Sequence, residues 1–220
     1  DYDSDPANYR PDIYAADMFA LLDGLGIARA GLIGTSMGGL VAMTMAALQP
    51  ARVSALVLND IGPRIEAVGL ARIQGYVGPS GDATDWDEAA TRCAAINGPA
   101  FPDYGASDWL AFARRTCYET PEGSVRSAYD PAIAASVGGN DPATVPPDLW
   151  PLWDMLSAIP VLVMRGAASD LLSAATVAQM RDRHSGAFAA LEVAGRGHAP
   201  MLDEDVAVAA IDAFLREHAG

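Results

Sequence analysis

The sequence contains no lysine. Its 14 basic residues are all arginine, set against 28 acidic ones, for a formal charge of −14. Without lysine there is no P-loop, no Schiff-base amine and no pyridoxal phosphate linkage. An acidic surface repels phosphate backbones, which argues against a nucleic-acid partner. Cysteine is scarce too. Cys93 and Cys117 lack CxxC spacing and have no histidine nearby, so they do not read as a zinc site. They are expected to be two buried thiols, which suggests a reducing, cytoplasmic setting. No apolar run approaches the roughly 20 residues that span a bilayer, so no membrane partner is expected. The first residues, Asp1-Tyr2-Asp3-Ser4-Asp5, are acidic and unlike a secretory leader. Nothing in the pattern calls for a metal or an organic cofactor.

What is present is apolar. Hydrophobic residues make up 51% of the 220, so the chain has the means to build a packed core. The length suits one large domain or a core with an insertion. Tyr14, Met18, Leu21, Leu22 and Leu25 recur at helical spacing and predict an amphipathic helix over 11–25. Short, continuously apolar runs at 30–34, 53–58, 161–164 and 189–193 predict buried strands. Helical patterns over 40–48, 173–184 and 204–217 follow three of them. Strand and helix in alternation imply an α/β fold with a mostly parallel sheet flanked by helices. The stretch 63–147 breaks the rhythm, with short helices expected at 67–76, 86–95 and 107–118 and no strong strand. It is read as an inserted helical cap, leaving 1–62 and 148–220 as the core.

Gly34-Thr35-Ser36-Met37-Gly38 matches G-x-S-x-G between a predicted strand and a predicted helix. A sharp strand-to-helix turn lifts the serine hydroxyl clear of the sheet, and the glycines on either side are expected to spare it collisions. The following helix aims unpaired N–H groups at the same point, which makes the Met37 amide a candidate oxyanion donor. A serine hydroxyl needs a base, and only three histidines exist. His218 lies near the C-terminus. His184 ends a predicted helix, where a solvated cation is expected. His198, in Gly195-Arg196-Gly197-His198, follows the last predicted strand at the sheet edge where such folds present ligand-facing groups. The histidine in turn needs a carboxylate. Asp170, after the third strand, is the expected partner, and Asp60, after the second, is the alternative.

These residues resemble the α/β-hydrolase superfamily. The likeness rests on GTSMGG at 34–39, VLVMRGAASD at 161–170 and GRGHAPMLDE at 195–204. It is closest in kind to capped, small-substrate members: esterases, enol-lactone hydrolases, carbon–carbon bond hydrolases and cofactor-free perhydrolases. The resemblance implies a serine hydrolase forming an acyl-enzyme on Ser36. A catalytically dead, ligand-binding homologue or a non-functional fragment is the alternative it leaves open. It also implies strands before 11–25 and a His-Gly loop with a second oxyanion donor. The sequence begins at Asp1, so it reads as N-terminally incomplete. Trp109, Trp153 and Tyr118 are candidate substrate-pocket residues, with Trp86, Phe112 and Trp150 as further candidates. Arg114 and Arg115 are candidates for holding a substrate carboxylate. For each of these, ordinary core packing or a solvated face is the competing role.

Overall fold

The computed structural model describes residues 2–3, 5–78, 80–137 and 148–219. In chain order the elements are α1 (Pro11–Gly24), β1 (Ala30–Thr35), α2 (Met37–Leu48), β2 (Val53–Asn59), α3 (Ala67–Gln74), α4 (Trp86–Asn97) and α5 (Ala106–Thr116). There follow β3 (Cys117–Glu119), β4 (Val125–Ser127), α6 (Trp150–Asp154), β5 (Val161–Gly166), α7 (Ala174–Arg183), β6 (Phe188–Val193) and α8 (Asp205–His218). They fall into two compact units: a larger one of Arg10–Leu70 with Thr144–Gly220, and a smaller one of Asp1–Tyr9 with Ala71–Ala143.

The larger unit is built on a four-stranded parallel sheet in the order β1-β2-β5-β6. Strand β2 lies between two neighbours and is buried at every position, which is why its sequence runs apolar without alternation. On one sheet face Ala55, Val57, Leu162 and Met164 pack with Ile211 and Phe214 of α8. On the other, Leu32 packs with Ala15 and Phe19 of α1 and Val41 and Met45 of α2. The buried stripe of α1 is therefore Ala15–Phe19–Leu22, spaced four and then three. Met18, Leu21 and Leu25, expected to face inward, are 41%, 51% and 63% exposed. Ala15 and Phe19 pack with Val41 and Met45 of α2, and that contact defines the buried face of the helix.

Register aligns the strand ends. Thr35 stands beside Asn59, Asn59 beside Met164, and Gly166 beside Val193. The loops that leave these four ends thus emerge from one edge of the sheet, where ligand-facing residues of open α/β sheets collect.

His184 departs from expectation. Its ring lies 5.5 Å from Trp153 and 5.8 Å from Phe188, centroid to centroid. Burial lowers its pKa from the ordinary 6.5, so the neutral ring is favoured there rather than a solvated cation.

In the smaller unit α4 packs against α5, and β3 pairs antiparallel with β4 in a short hairpin. That hairpin falls where no strand was expected, because three-residue strands are too short to leave a periodic signature. Phe101, Tyr104, Trp109 and Phe112 form an aromatic cluster with centroids 4.7–6.1 Å apart. Cys93 and Cys117 are free thiols and only half-buried. Burial and the nearby Cys117 push the Cys93 thiol up to about 11. The C-terminal boundary expected for the insertion, at 147, lies outside the described residues. Among the described residues no helix is long and apolar enough to cross a membrane.

Candidate active site

The site grows from the ends of β1 and β2. After Thr35 the chain turns at Ser36, with φ +50° and ψ −117°, and enters α2 at once. That left-handed conformation is costly for a residue with a Cβ, so the surroundings must hold it. The Ser36 amide donates to Asn59 O at 3.1 Å, while Ser36 O accepts from the Gly39 and Leu40 amides at 2.9 and 3.2 Å. The glycines divide the work differently from the expectation. A Cβ on Gly34 would run into the Gly38 carbonyl, and one on Gly39 would strike Ile61, whereas one on Gly38 would meet open space. Close approach therefore requires glycine at 34 and 39, but not at 38.

His198 Nε2 lies 3.0 Å from Ser36 Oγ. Its other ring nitrogen, Nδ1, lies 2.8 Å from Asp60 Oδ2. The imidazole is 7% exposed and the Asp60 side chain 0%. Asp60 itself sits at φ +55°, just past the central strand, with its amide donating to Met164 O at 2.8 Å. Its carboxylate is well supplied with donors. Oδ1 accepts from the Gly166 amide at 2.8 Å, and Oδ2 from the Ser169 hydroxyl at 2.5 Å as well as from His198.

The expectation that Asp170 partners the histidine is thereby corrected. The Nδ1 position is taken by Asp60, the residue held as the alternative. Asp170 lies four residues beyond the end of β5, and its backbone carbonyl accepts from the Gly69 amide at 3.1 Å. The side chain that reaches back from this turn to the site is that of Ser169. Strand order does not decide between them, since β2 and β5 both lie between β1 and β6; the bonds from the Gly166 amide and the Ser169 hydroxyl are what hold the Asp60 carboxylate at the imidazole.

The histidine loop is also fastened. Arg196 Nε donates to Glu204 Oε1 at 2.8 Å, and the Met201 amide donates to the same oxygen at 3.2 Å. Arg196 O accepts from the Ala168 amide at 2.8 Å. Gly166 lets the loop close in, since a Cβ there would overlap the Gly197 carbonyl. Arg196 and Glu204 are 14% and 11% exposed, so their charge-assisted bond is shielded from water.

Met37 opens α2, and its amide is among the N–H groups that a helix start leaves without intrahelical partners. The aromatic candidates lie in different settings. Trp153 is fully buried, its Nε1 donates to Met180 O at 3.3 Å, and its ring meets those of His184 and Phe188. Trp109 belongs to the aromatic cluster of the smaller unit and borders a groove of about 530 Å³ between α4 and α5. Tyr118 is 40% exposed on β3. Arg114 and Arg183 cover the rings of Trp86 and Trp150, each at 4.7 Å. Among the described residues no group of three or more His, Cys, Asp or Glu side chains could hold a metal ion. Ser169 and Asn59 had no part in the sequence reading. A polar residue at the C-terminal end of a mostly apolar central strand is the signal that could have pointed to Asn59.

With this geometry in place, comparisons with known proteins bear on it. The family model described as "Alpha/beta hydrolase family" matches residues 2–211. The 3-hydroxybutyrate-oligomer hydrolase of Cupriavidus necator is 31% identical over 96% of this chain and 73% of its own length. The 2-(acetamidomethylene)succinate hydrolase of Mesorhizobium japonicum is 28% identical over 80% of this chain and 60% of its own. Among solved structures, an α/β hydrolase from Novosphingobium aromaticivorans superposes with a TM-score of 0.87 at 42% identity, over 98% of this chain and 75% of that one.

Proposed function

The chain belongs to the α/β hydrolase family and is an enzyme of hydrolase type, and from that premise we propose that it is a serine hydrolase, cleaving an ester, lactone or related carbonyl bond of a small molecule through an acyl-enzyme on Ser36. One observation carries this reading: hydroxyl, imidazole and buried carboxylate stand in line, at 3.0 and 2.8 Å. That is the arrangement a serine needs to act as a nucleophile near neutral pH.

In this mechanism His198 Nε2 takes the Ser36 proton as Oγ attacks the carbonyl carbon. Asp60 accepts the Nδ1 hydrogen, which fixes the tautomer that leaves Nε2 free as an acceptor. It also faces the positive charge that the ring acquires. The oxyanion of the tetrahedral intermediate is met by the Met37 amide at the start of α2, where the helix dipole favours negative charge. His198 then passes its proton to the leaving group. Water, deprotonated by the same ring, attacks the acyl-enzyme and frees the acid. Positioned proton transfer of this kind contributes on the order of 100- to 10,000-fold. The relatives' names, one for an oligomer hydrolase and one for a succinate-derivative hydrolase, support a small acyl substrate and leave its structure open.

The test is p-nitrophenyl acetate turnover followed from the first milliseconds. A burst of p-nitrophenol, absent in Ser36→Ala, is expected. Turnover that persists in Ser36→Ala at the wild-type rate would remove Ser36 from the mechanism. Absence of both burst and steady state in the wild-type protein would favour a ligand-binding homologue.

A further inference from the structure

Asn59 ends the central strand, is fully buried, and has no role in the chemistry just described. Its carboxamide nitrogen nevertheless donates to Thr35 Oγ1 at 3.0 Å and to Pro200 O at 2.8 Å. Pro200 O can only accept, which assigns the nitrogen to that side of the amide. Thr35 immediately precedes Ser36, and Pro200 follows His198 by two residues. The backbone carbonyl of Asn59 accepts the Ser36 amide at 3.1 Å. The next residue, Asp60, holds the imidazole. One residue thus ties together the two loops whose side chains must meet.

The cost of this arrangement is visible. Asn59 Oδ1 is buried and no donor among the described residues reaches it. An unsatisfied buried acceptor costs about 1–3 kcal/mol. An aliphatic side chain of similar volume would remove that cost but would take the donor from Thr35 and from the buried Pro200 carbonyl, so what the amide contributes is the tie between the two loops.

On the serine hydrolase reading above, we propose that Asn59 is a positioning residue: its amide nitrogen clamps the nucleophile turn to the histidine loop and so sets the distance between Ser36 Oγ and His198 Nε2. It touches neither substrate nor reacting atoms. It acts through Thr35 and Pro200. Loss of the clamp leaves the Asp60–His198 contact in place but lets the ring drift from the hydroxyl. A displacement approaching 1 Å costs up to about 100-fold in rate.

The experiment uses Asn59→Leu, which keeps the side chain's shape and removes both donated bonds, with Asn59→Asp as the second shape-preserving variant. Each is scored by melting temperature, by kcat and KM for p-nitrophenyl acetate, by the rate of fluorophosphonate labelling, and by the midpoint of the acidic limb of the pH–rate profile. For a variant that stays folded, kcat and labelling rate are expected to fall together, by about 10- to 100-fold. KM should stay within about threefold, and the acidic midpoint of Asn59→Leu should not move, because the His198–Asp60 pair is intact. If Asn59→Leu does not fold, Asn59→Asp decides on kcat, KM and labelling alone. A folded variant that labels at the wild-type rate overturns the proposal. So does a loss confined to KM, or a loss in Asn59→Leu accompanied by a shifted midpoint. Ser36→Ala, run alongside, separates this failure from failure of the hydrolase reading: labelling that survives there refutes the nucleophile, not the clamp.

Discussion

Replacing Asp60 by asparagine changes one atom and should nearly abolish activity, while the same change at Asp170 should not. The magnitude follows from the donors around the carboxylate. Gly166 N–H points at Oδ1, and both Ser169 Oγ–H and His198 Nδ1 point at Oδ2. In Asp60→Asn the amide oxygen can serve only one of these two sides. If it stays with Gly166, the NH2 group faces the imidazole and drives Nδ1 to accept, which moves the ring proton to Nε2 and turns it toward Ser36. A protonated Nε2 cannot act as a base. If the amide flips, its NH2 opposes the Gly166 amide, leaving a buried donor unpaired at about 1–3 kcal/mol. With the side chain wholly buried, no water can substitute. Loss of the correct tautomer is worth about 10,000-fold in kcat, or about 5.4 kcal/mol of transition-state stabilisation. The assay is kcat for p-nitrophenyl acetate on both variants, with melting curves to show that each is folded. Asp170→Asn should stay within about fivefold of wild type, because Asp60 already fills the Nδ1 side of His198. A folded Asp60→Asn with nearly full activity, beside an inert Asp170→Asn, would refute the assignment of the orienting carboxylate.

The turn at Ser36 makes an opposing pair of predictions. Gly38→Ala should be tolerated or stabilise α2 by about 0.5–1 kcal/mol, since the added methyl meets open space and alanine favours the helix. Gly34→Ala or Gly39→Ala should destabilise by about 1–3 kcal/mol or more, read as a lowered urea midpoint, because backbone or Ile61 blocks the methyl. Ser169→Ala removes one of the donors to Asp60 and should lower kcat about tenfold while KM holds; unchanged kcat would show that the other donors suffice. His184 should shape the acid side of the stability profile. Its folded pKa lies below the ordinary 6.5, so the unfolded chain takes up the proton first. The stability it protects is complete above about pH 6.5 and drains away as the pH falls toward the folded value. His184→Phe should flatten that window when melting temperatures are compared with wild type, and an unchanged slope would contradict the burial argument.

Much of this was legible in the chain. The four sheet strands announced themselves through short, mostly apolar runs, clearest in β2 and β5, which are covered on both faces and have no solvent side to encode. Ser36 and His198 were legible for different reasons. One sits in a turn with a strict steric demand, and the other was reached by elimination among few histidines. The choice between Asp60 and Asp170 was not available from local pattern. Both follow apolar strands that lie between β1 and β6, and only the side-chain contacts show which carboxylate meets the imidazole. The same limit applies to α1, where Leu21 and Leu25 have the right spacing but Ala15 and Phe19 have the right neighbours. Trp153 illustrates a further limit: aromatic character suits a substrate chamber and a core equally, and only its contacts with Met180 and His184 separate the two.

The most direct test is to phosphonylate the protein with a fluorophosphonate, digest it, and locate the adduct by peptide mass. A single adduct on Ser36, lost in Ser36→Ala and slowed by orders of magnitude in His198→Ala and Asp60→Asn, is the predicted result. An adduct on another serine, or equal labelling after His198 is removed, would contradict a nucleophile activated by the His198–Asp60 pair.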